Sequence, residues 1–366
     1  MDEAGTDNYN TKLVLLGTGG GVSYWPGCDR ASSSSALVVG DNIYLIDLGQ
    51  GATNRINQAF NPKSVVDSDD KYLMGKNPFL QNVKGLFFTH LHPDHIADYA
   101  NFLLVGAGTG LGTIPGKIGQ SPLPVYGPCD RGCLEANVAH FAEAPIQNTI
   151  SPEAPTSTPG TKQMTETILQ AFAQAMNDMM LDDAYPDYQK LVEVHEIGNL
   201  GDRTNHGEIK YPLPETLPSA GNPEGTAPNN PPPRDITCVA MNPRLLFDDG
   251  TVRVWHTLVN HAQVYPSFAF RFDTPDGSVV FSGDTGADTN GNLQRLCGGS
   301  PFLTSDEQPG SFPAKCADIL VHEVIDEDWI KTLAQEQRQE DSNSGKHNSG
   351  LITHMLRSHT PISEVG

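Results

Sequence analysis

The sequence predicts an α/β fold made of two sheets with helices layered on them. Two observations carry this. Short apolar, strand-like runs that end in glycine-rich turns cluster near the N-terminus and again after residue 250. Each cluster then passes into helix-like segments, the pattern of sheet and helix layers around a shared core. At 366 residues the chain can bury a sizeable core, as one large domain with an insertion or as two tightly joined halves.

In chain order, residues 12–16 form an apolar run that breaks at Gly17-Thr-Gly-Gly-Gly21, a strand and a tight turn. Residues 36–39 and 43–46, separated by Gly40-Asp41-Asn42, read as a hairpin ending at Asp47-Leu-Gly-Gln-Gly51. Residues 83–89 are another strand, and residues 96–105 look helical. From about 106 to about 250 prolines and glycines are dense, and acidic residues outnumber basic ones about two to one. That stretch reads as an insertion. Its one convincing helix, about 161–181, carries Met164, Ile168, Leu169, Phe172 and Met176 at helical spacing. The stripe is read first as core packing; a lid over the site is the alternative, because long insertions are often functional. Strands return at 252–258, 267–272, 279–282 and 319–321, with a turn at Thr274-Pro-Asp-Gly277.

Composition narrows the function classes. A formal net charge of −21 favours solubility and repels polyanions, which argues against a nucleic-acid partner and for a small-molecule substrate. A homodimer stays open. Cys28, Cys129, Cys133, Cys238, Cys297 and Cys316 are scattered, and the single C-x3-C pair at 129 and 133 reads as ordinary thiols, with room for one disulfide, before it reads as a zinc site. No apolar run is long enough to span a bilayer. The opening Met1-Asp2-Glu3-Ala4-Gly5 lacks the basic and apolar regions of a signal peptide. A soluble protein is expected, in the cytoplasm or exported with a leader absent from this chain.

The strongest chemical signal is His90-Leu-His92-Pro-Asp94-His95. A strand running through Phe87-Phe88-Thr89 delivers His90 and His92 at a spacing of two, so both imidazoles point to one side. Asp94 and His95 follow at the turn into a helix and address a second point nearby. Three imidazoles and a carboxylate within six residues suit neither a core nor a solvated face. Such ligands suit divalent metal, zinc first, with manganese and iron as substitutes.

These residues stand in the H-x-H-x-D-H pattern, and the chain resembles the metallo-β-lactamase superfamily. More narrowly it is similar to the branch of ribonuclease Z and its arylsulfatase-like relatives. Leu16-Gly-Thr-Gly19, Arg30-Ala-Ser-Ser-Ser34 and Asp47-Leu-Gly-Gln-Gly51-Ala-Thr53 carry that likeness. The glycine turn is not a nucleotide-binding loop, because the G-x-G-x-x-G spacing and a following helix are missing. The resemblance implies a four-layer αββα sandwich, a single catalytic domain over residues 1–366 with the 106–250 insertion, and two divalent metal ions. It implies one metal on His90, His92, His261 and Asp284, and the other on Asp94, His95, Asp284 and His359. His256 is the rival of His261, and His354 of His359. It further implies a metal-bridging hydroxide as nucleophile, with Asp94 orienting it or helping to protonate the leaving group. His322 and Glu323 match the family's His-Glu pair: His322 stabilises or protonates the leaving group and Glu323 orients it. A structural role for the pair is the alternative. Asp47 reads as a buried structural carboxylate.

Three functions remain. A hydrolase of small esters (phosphodiester, sulfate ester or lactone) is placed first on the charge argument. A ribonuclease Z-like endonuclease that processes transfer-RNA 3′ ends is second, since RNA affinity draws on Lys and Arg and no basic cluster is visible. An inactive metal-binding protein is third, opposed by the complete ligand set. Action on β-lactams is not favoured. Trp25, Tyr265 and Phe268 are pocket candidates for which ordinary packing is the simpler reading.

Overall fold

The computed structural model describes residues 10–21, 25, 27–61, 78–114, 119–130, 159–198, 238, 240–262, 264–298, 312–313, 315–344, 355–356 and 358–365. The chain divides into two units. Each is built on one mixed sheet.

The first unit comprises Met1–Gly127, Gly160–Ile197 and Thr274–Asp276. Its strands are β1 (Thr11–Gly17), β2 (Ser34–Val39), β3 (Asn42–Ile46), β4 (Val83–Phe87), β5 (Leu123–Pro128) and β6 (Val192–Ile197). They lie side by side in chain order. β1, β2 and β3 pair antiparallel, with the expected hairpin turning at Gly40; β3, β4 and β5 run parallel. Its helices are α1 (Ala52–Phe60), α2 (Pro93–Ile96), α3 (Tyr99–Gly106), α4 (Thr161–Ala171) and α5 (Ala173–Asp182). Period-two alternation sends Ile43 and Leu45 of β3 to one face. There they meet Ile56 of α1, Phe102 and Leu103 of α3 and Met176 of α5 in one core.

The helix expected over 161–181 forms in two pieces. It leaves helical geometry at Phe172 (φ −104°, ψ 14°) although no proline or glycine stands there. Met164, Ile168, Leu169 and Met176 pack on the core of the first unit, while Phe172 is 40% exposed. The apolar stripe is core at four of its five positions, and nothing in the structure explains the break at Phe172. The 106–250 stretch, expected as an insertion, contains β5, β6, α4 and α5 as well as one strand of the second sheet.

The second unit comprises Pro128–Pro159, Gly198–Asp273 and Gly277–Gly366. It holds β7 (Arg244–Asp248), β8 (Arg253–Leu258), β9 (Phe268–Asp273), β10 (Ser278–Phe281) and β11 (Ile319–Val321), in the order β11-β10-β9-β8-β7. Only β10 and β11 pair parallel. The helix α6 (Asn292–Leu296) lays Leu293 and Leu296 on Trp255, Ala269 and Val280. A longer helix, α7 (Glu327–Ser344), follows β11. The buried Arg271 of β9 is fully engaged: it bonds Asp273, the carbonyls of Leu296 and Lys315, and stands over the Phe312 ring. Tyr265 and Phe268 are buried and Trp25 is half-exposed. No helix among the described residues is long and apolar enough to cross a membrane.

Truncating the centre of the first core should be costly and truncating its surface should not. Leu45→Ala is expected to lower unfolding stability by about 2–5 kcal/mol, and Leu181→Ala, at an 81% exposed position, by no more than about 0.5 kcal/mol. Urea denaturation midpoints measure both; equal shifts would contradict this core assignment.

Candidate metal centre

The parallel strands β3 and β4 end together, and the chemistry sits just past their C-terminal ends, where parallel sheets place their ligands. The Asp47 N–H donates to the Phe87 carbonyl at 3.0 Å, so the two exits are stitched at the outset. Asp47 itself adopts φ 57°, a left-handed conformation that Asp tolerates better than most residues. Its carboxylate is buried and accepts three bonds: Thr89 N–H at 2.8 Å, Thr89 Oγ1–H at 2.8 Å and His95 Nδ1–H at 2.8 Å. Burial pushes the Asp47 carboxyl above the ordinary carboxylate range; His95 and Thr89 oppose that rise.

The histidine rings follow from this anchor. His95 gives Nδ1 to Asp47, so Nε2 is the nitrogen a metal would take. The Thr89 hydroxyl donates to Asp47 and accepts from His90 Nδ1 at 3.1 Å, which directs His90 Nε2 the same way. His90 and His92 present ring nitrogens within 4.8 Å of each other, as do His90 and His95. His95 Nε2 lies 3.7 Å from Asp94 Oδ2. The spacing of His90 and His92 does not come from strand alternation as expected: β4 ends at Phe87, and His92 is the N-cap of α2. A loop and a one-turn helix bring the rings together.

Two glycines permit this packing. A Cβ on Gly49 would lie 2.0 Å from the Asp94 carbonyl oxygen, so only glycine lets the two loops touch. Gly21, at φ 77°, donates its N–H to Asp94 Oδ2 at 2.7 Å.

The second unit carries its own cluster. His261 gives Nδ1 to the Ser358 carbonyl at 2.7 Å, which again directs Nε2 outward, and its ring lies 5.2 Å from that of His359. His359 Nδ1 stands 3.3 Å from Glu323 Oε1 and 3.7 Å from Asp284 Oδ2. Glu323 Oε1 also accepts the N–H groups of Thr285 and Thr360, at 3.2 and 3.1 Å. One carboxylate oxygen therefore ties the loop after Asp284 to the loop after His359. Burial raises the Glu323 carboxyl above its usual range, opposed by His359.

That geometry corrects one expectation. Glu323 does not orient His322; it holds His359 and two backbone amides. His322 is held instead by Ser282 Oγ, 2.9 Å from its Nδ1, and burial lowers its pKa. His256, the rival of His261, lies inside β8, fully buried with its ring against Phe268. Burial pushes it down to about 3, so it is a neutral core histidine. His354 and Cys133 lie outside the described residues; Cys28, Cys238, Cys297 and Cys316 are free thiols, and the Cys129 thiol donates to the Gly198 carbonyl. Thr89, Ser282, Thr285, Ser358 and Thr360 escaped the sequence reading. Thr89 alone had a signal, as the residue leading into His90; Ser358 acts through its backbone, which no side-chain pattern reports.

The donor set fits divalent metal. Imidazoles whose Nδ1 is tied to carboxylate, hydroxyl or carbonyl are in the tautomer that metal ligation needs, and carboxylates stand beside them. Asp47→Asn, which weakens the acceptor for His95 Nδ1, should reduce zinc affinity about 10–100-fold in competition titrations; unchanged affinity would contradict the positioning role. His256 bears on acid stability. Its folded-state pKa of about 3 lies below the ordinary 6.5, so between those values the unfolded chain binds a proton that the folded chain does not. Stability contributed by neutral His256 is thus lost as pH falls through that window. His256→Leu should flatten the acid limb of stability against pH, and an unchanged slope would refute the assignment.

Comparison with known proteins agrees with these features. The chain is 24% identical to ribonuclease Z of Mycobacterium bovis (strain BCG) over 326 residues, 89% of this chain and 74% of that protein. It is 25% identical to ribonuclease Z of Mycobacterium sp. (strain KMS), over 89% of this chain and 73% of that one. Among solved structures, the short form of human tRNase Z is 16% identical, with 96% of this chain and 93% of that one covered and a TM-score of 0.45. No family model matches the chain. With its H-x-H-x-D-H motif, its two mixed sheets and 24% identity to ribonuclease Z across 89% of its length, the chain is similar to the ribonuclease Z branch of the metallo-β-lactamase superfamily.

Proposed function

We propose that this metal-dependent hydrolase cleaves phosphodiester bonds in RNA, as a ribonuclease Z-like endonuclease. Sequence likeness to ribonuclease Z over 89% of the chain supports this reading and reverses the order that net charge suggested. The observation that supports the hydrolytic site itself is the clustering of its histidines, with His90, His95 and His261 each held at Nδ1 by a hydroxyl, carboxylate or carbonyl.

On this reading His90, His92, His261 and Asp284 would hold one divalent ion, and Asp94, His95, Asp284 and His359 the other. Zinc is the first candidate, with manganese or iron as substitutes. Such a pair, when bound, supplies Lewis acidity toward a phosphoryl oxygen and toward water. The chain's own residues do the rest. Asp94, with one oxygen held by the Gly21 N–H, orients the attacking water and takes up its proton. His322, braced at Nδ1 by Ser282, presents Nε2 to the leaving oxygen. Glu323 is a positioning residue, keeping His359 and the Asp284 loop in register. The small-ester reading keeps one supporting observation, the net charge of −21, which limits affinity gained by releasing counterions from RNA.

A panel on metal-reconstituted protein separates the two readings: an RNA with a 3′ extension, an aryl phosphodiester, an aryl sulfate, a lactone and a β-lactam. Endonucleolytic cleavage of the RNA is expected, falling to background in His90→Ala together with loss of bound metal. Turnover of the lactone or sulfate with the RNA left intact would favour small esters. His322→Ala should lower kcat by roughly 10²–10⁴-fold with metal content retained; undiminished kcat would remove its role.

A further inference from the structure

A three-ring ladder crosses the far half of the first sheet. Phe87 of β4 and Tyr126 of β5 are register partners whose rings stack at 5.2 Å and 9°. Tyr126 in turn stacks on His195 of β6 at 5.0 Å and 21°. The ladder begins at a fully buried ring, three residues before His90. It ends on the outermost strand of the sheet, at a histidine whose side chain is 42% exposed. Among the described residues no other ring stacks on His195; its Nε2 lies 3.9 Å from Glu193 Oε1. With neighbouring strands about 4.8 Å apart, His195 stands roughly 10 Å to the side of Phe87.

We infer that the open end of the Phe87–Tyr126–His195 ladder is a base-stacking subsite, which holds a nucleobase flanking the scissile phosphodiester. The inference rests on the RNA-cleaving reading and adds where the substrate's base goes. An exposed ring at the end of an ordered stack offers a flat π-face, and single-stranded RNA is gripped chiefly by stacking its bases on such faces. Glu193, 3.9 Å from His195 Nε2, repels a phosphate, so the ring face rather than a charge is what this strand edge offers a nucleotide. Glu193 also offers an acceptor to a base amino group. Charge points the same way: at −21 overall the protein gains little from counterion release, so affinity must come from a contact that salt does not screen. Stacking is such a contact.

The test uses metal-free protein, so that binding is read without turnover. The dinucleotide adenylyl-(3′→5′)-adenosine, bis(p-nitrophenyl) phosphate and dimethyl phosphate are titrated while the His195 ring protons are followed by NMR. The dinucleotide should move the His195 protons upfield through its ring current. Its dissociation constant should change little between 50 and 300 mM salt, and dimethyl phosphate should leave the protons unmoved. His195→Ala should weaken the dinucleotide by between about five- and a hundred-fold, and His195→Phe, which keeps a flat ring, should restore most of the loss. Dinucleotide affinity unaltered in His195→Ala would overturn the inference, as would binding of the diaryl phosphate at His195 with none of the dinucleotide. Failure of RNA cleavage by metal-loaded native protein, with this binding intact, would strike the catalytic reading and spare the subsite; normal cleavage with unchanged KM in His195→Ala would do the reverse.

Discussion

A buried carboxylate governs the first half of the candidate site. Asp47 sits at the end of β3 with left-handed backbone and takes three donors, two from Thr89 and one from His95. A carboxylate in a buried position is costly unless its lone pairs are filled. Here the groups that fill them come from Thr89 and His95, within and beside the histidine cluster. The same three bonds that make Asp47 tolerable fix the tautomers of His90 and His95. Strain of this kind persists where surrounding structure over-determines it, and it gathers at functional sites.

The second unit meets the same requirement with different parts. There the acceptor for His261 is a backbone carbonyl, that of Ser358, and His359 is the next residue along. Orienting one candidate ligand therefore also places the other. Glu323 adds the lateral constraint, gathering Thr285, Thr360 and His359 on one oxygen. In both units a candidate ligand histidine is held through Nδ1, which sets the direction of its ring. An engaged Nδ1 is common to His90, His95 and His261 although their neighbours share no sequence pattern.

The sheet framework was legible because its strands are short apolar runs closed by glycine or an acidic turn. Residues 36–46 show this as a hairpin, and 83–87 as a strand entering the histidine cluster. The break at Phe172 was not legible, since no residue that stops a helix stands there. The motif His90-Leu-His-Pro-Asp-His95 announced its chemistry through residue types, yet the geometric reason attached to it was wrong. The rings converge across a loop and a one-turn helix, with His90 held by Thr89 and His95 by Asp47, and not along an alternating strand. Glu323 was found and its partner mistaken: adjacency in sequence pointed to His322, while the fold brings it to His359. The 106–250 stretch looked foreign through its prolines and acidic residues, but its apolar segments at 123–128 and 192–197 add strands to the first sheet. Net charge is a sum over the whole surface, so it says little about a substrate that could be held by a few flat rings, as the proposed reading has it.

On the proposed reading, His90 and His95 in the first unit, and His261 in the second, each face a divalent cation through Nε2. Anomalous diffraction from crystals equilibrated with zinc addresses this most directly. Two peaks about 3.5–4 Å apart, one beside Nε2 of His90 and the other beside Nε2 of His95, with Asp284 reaching both, are the predicted result. A single peak elsewhere, or coordination through the Nδ1 atoms that Asp47 and Ser358 now occupy, would contradict it.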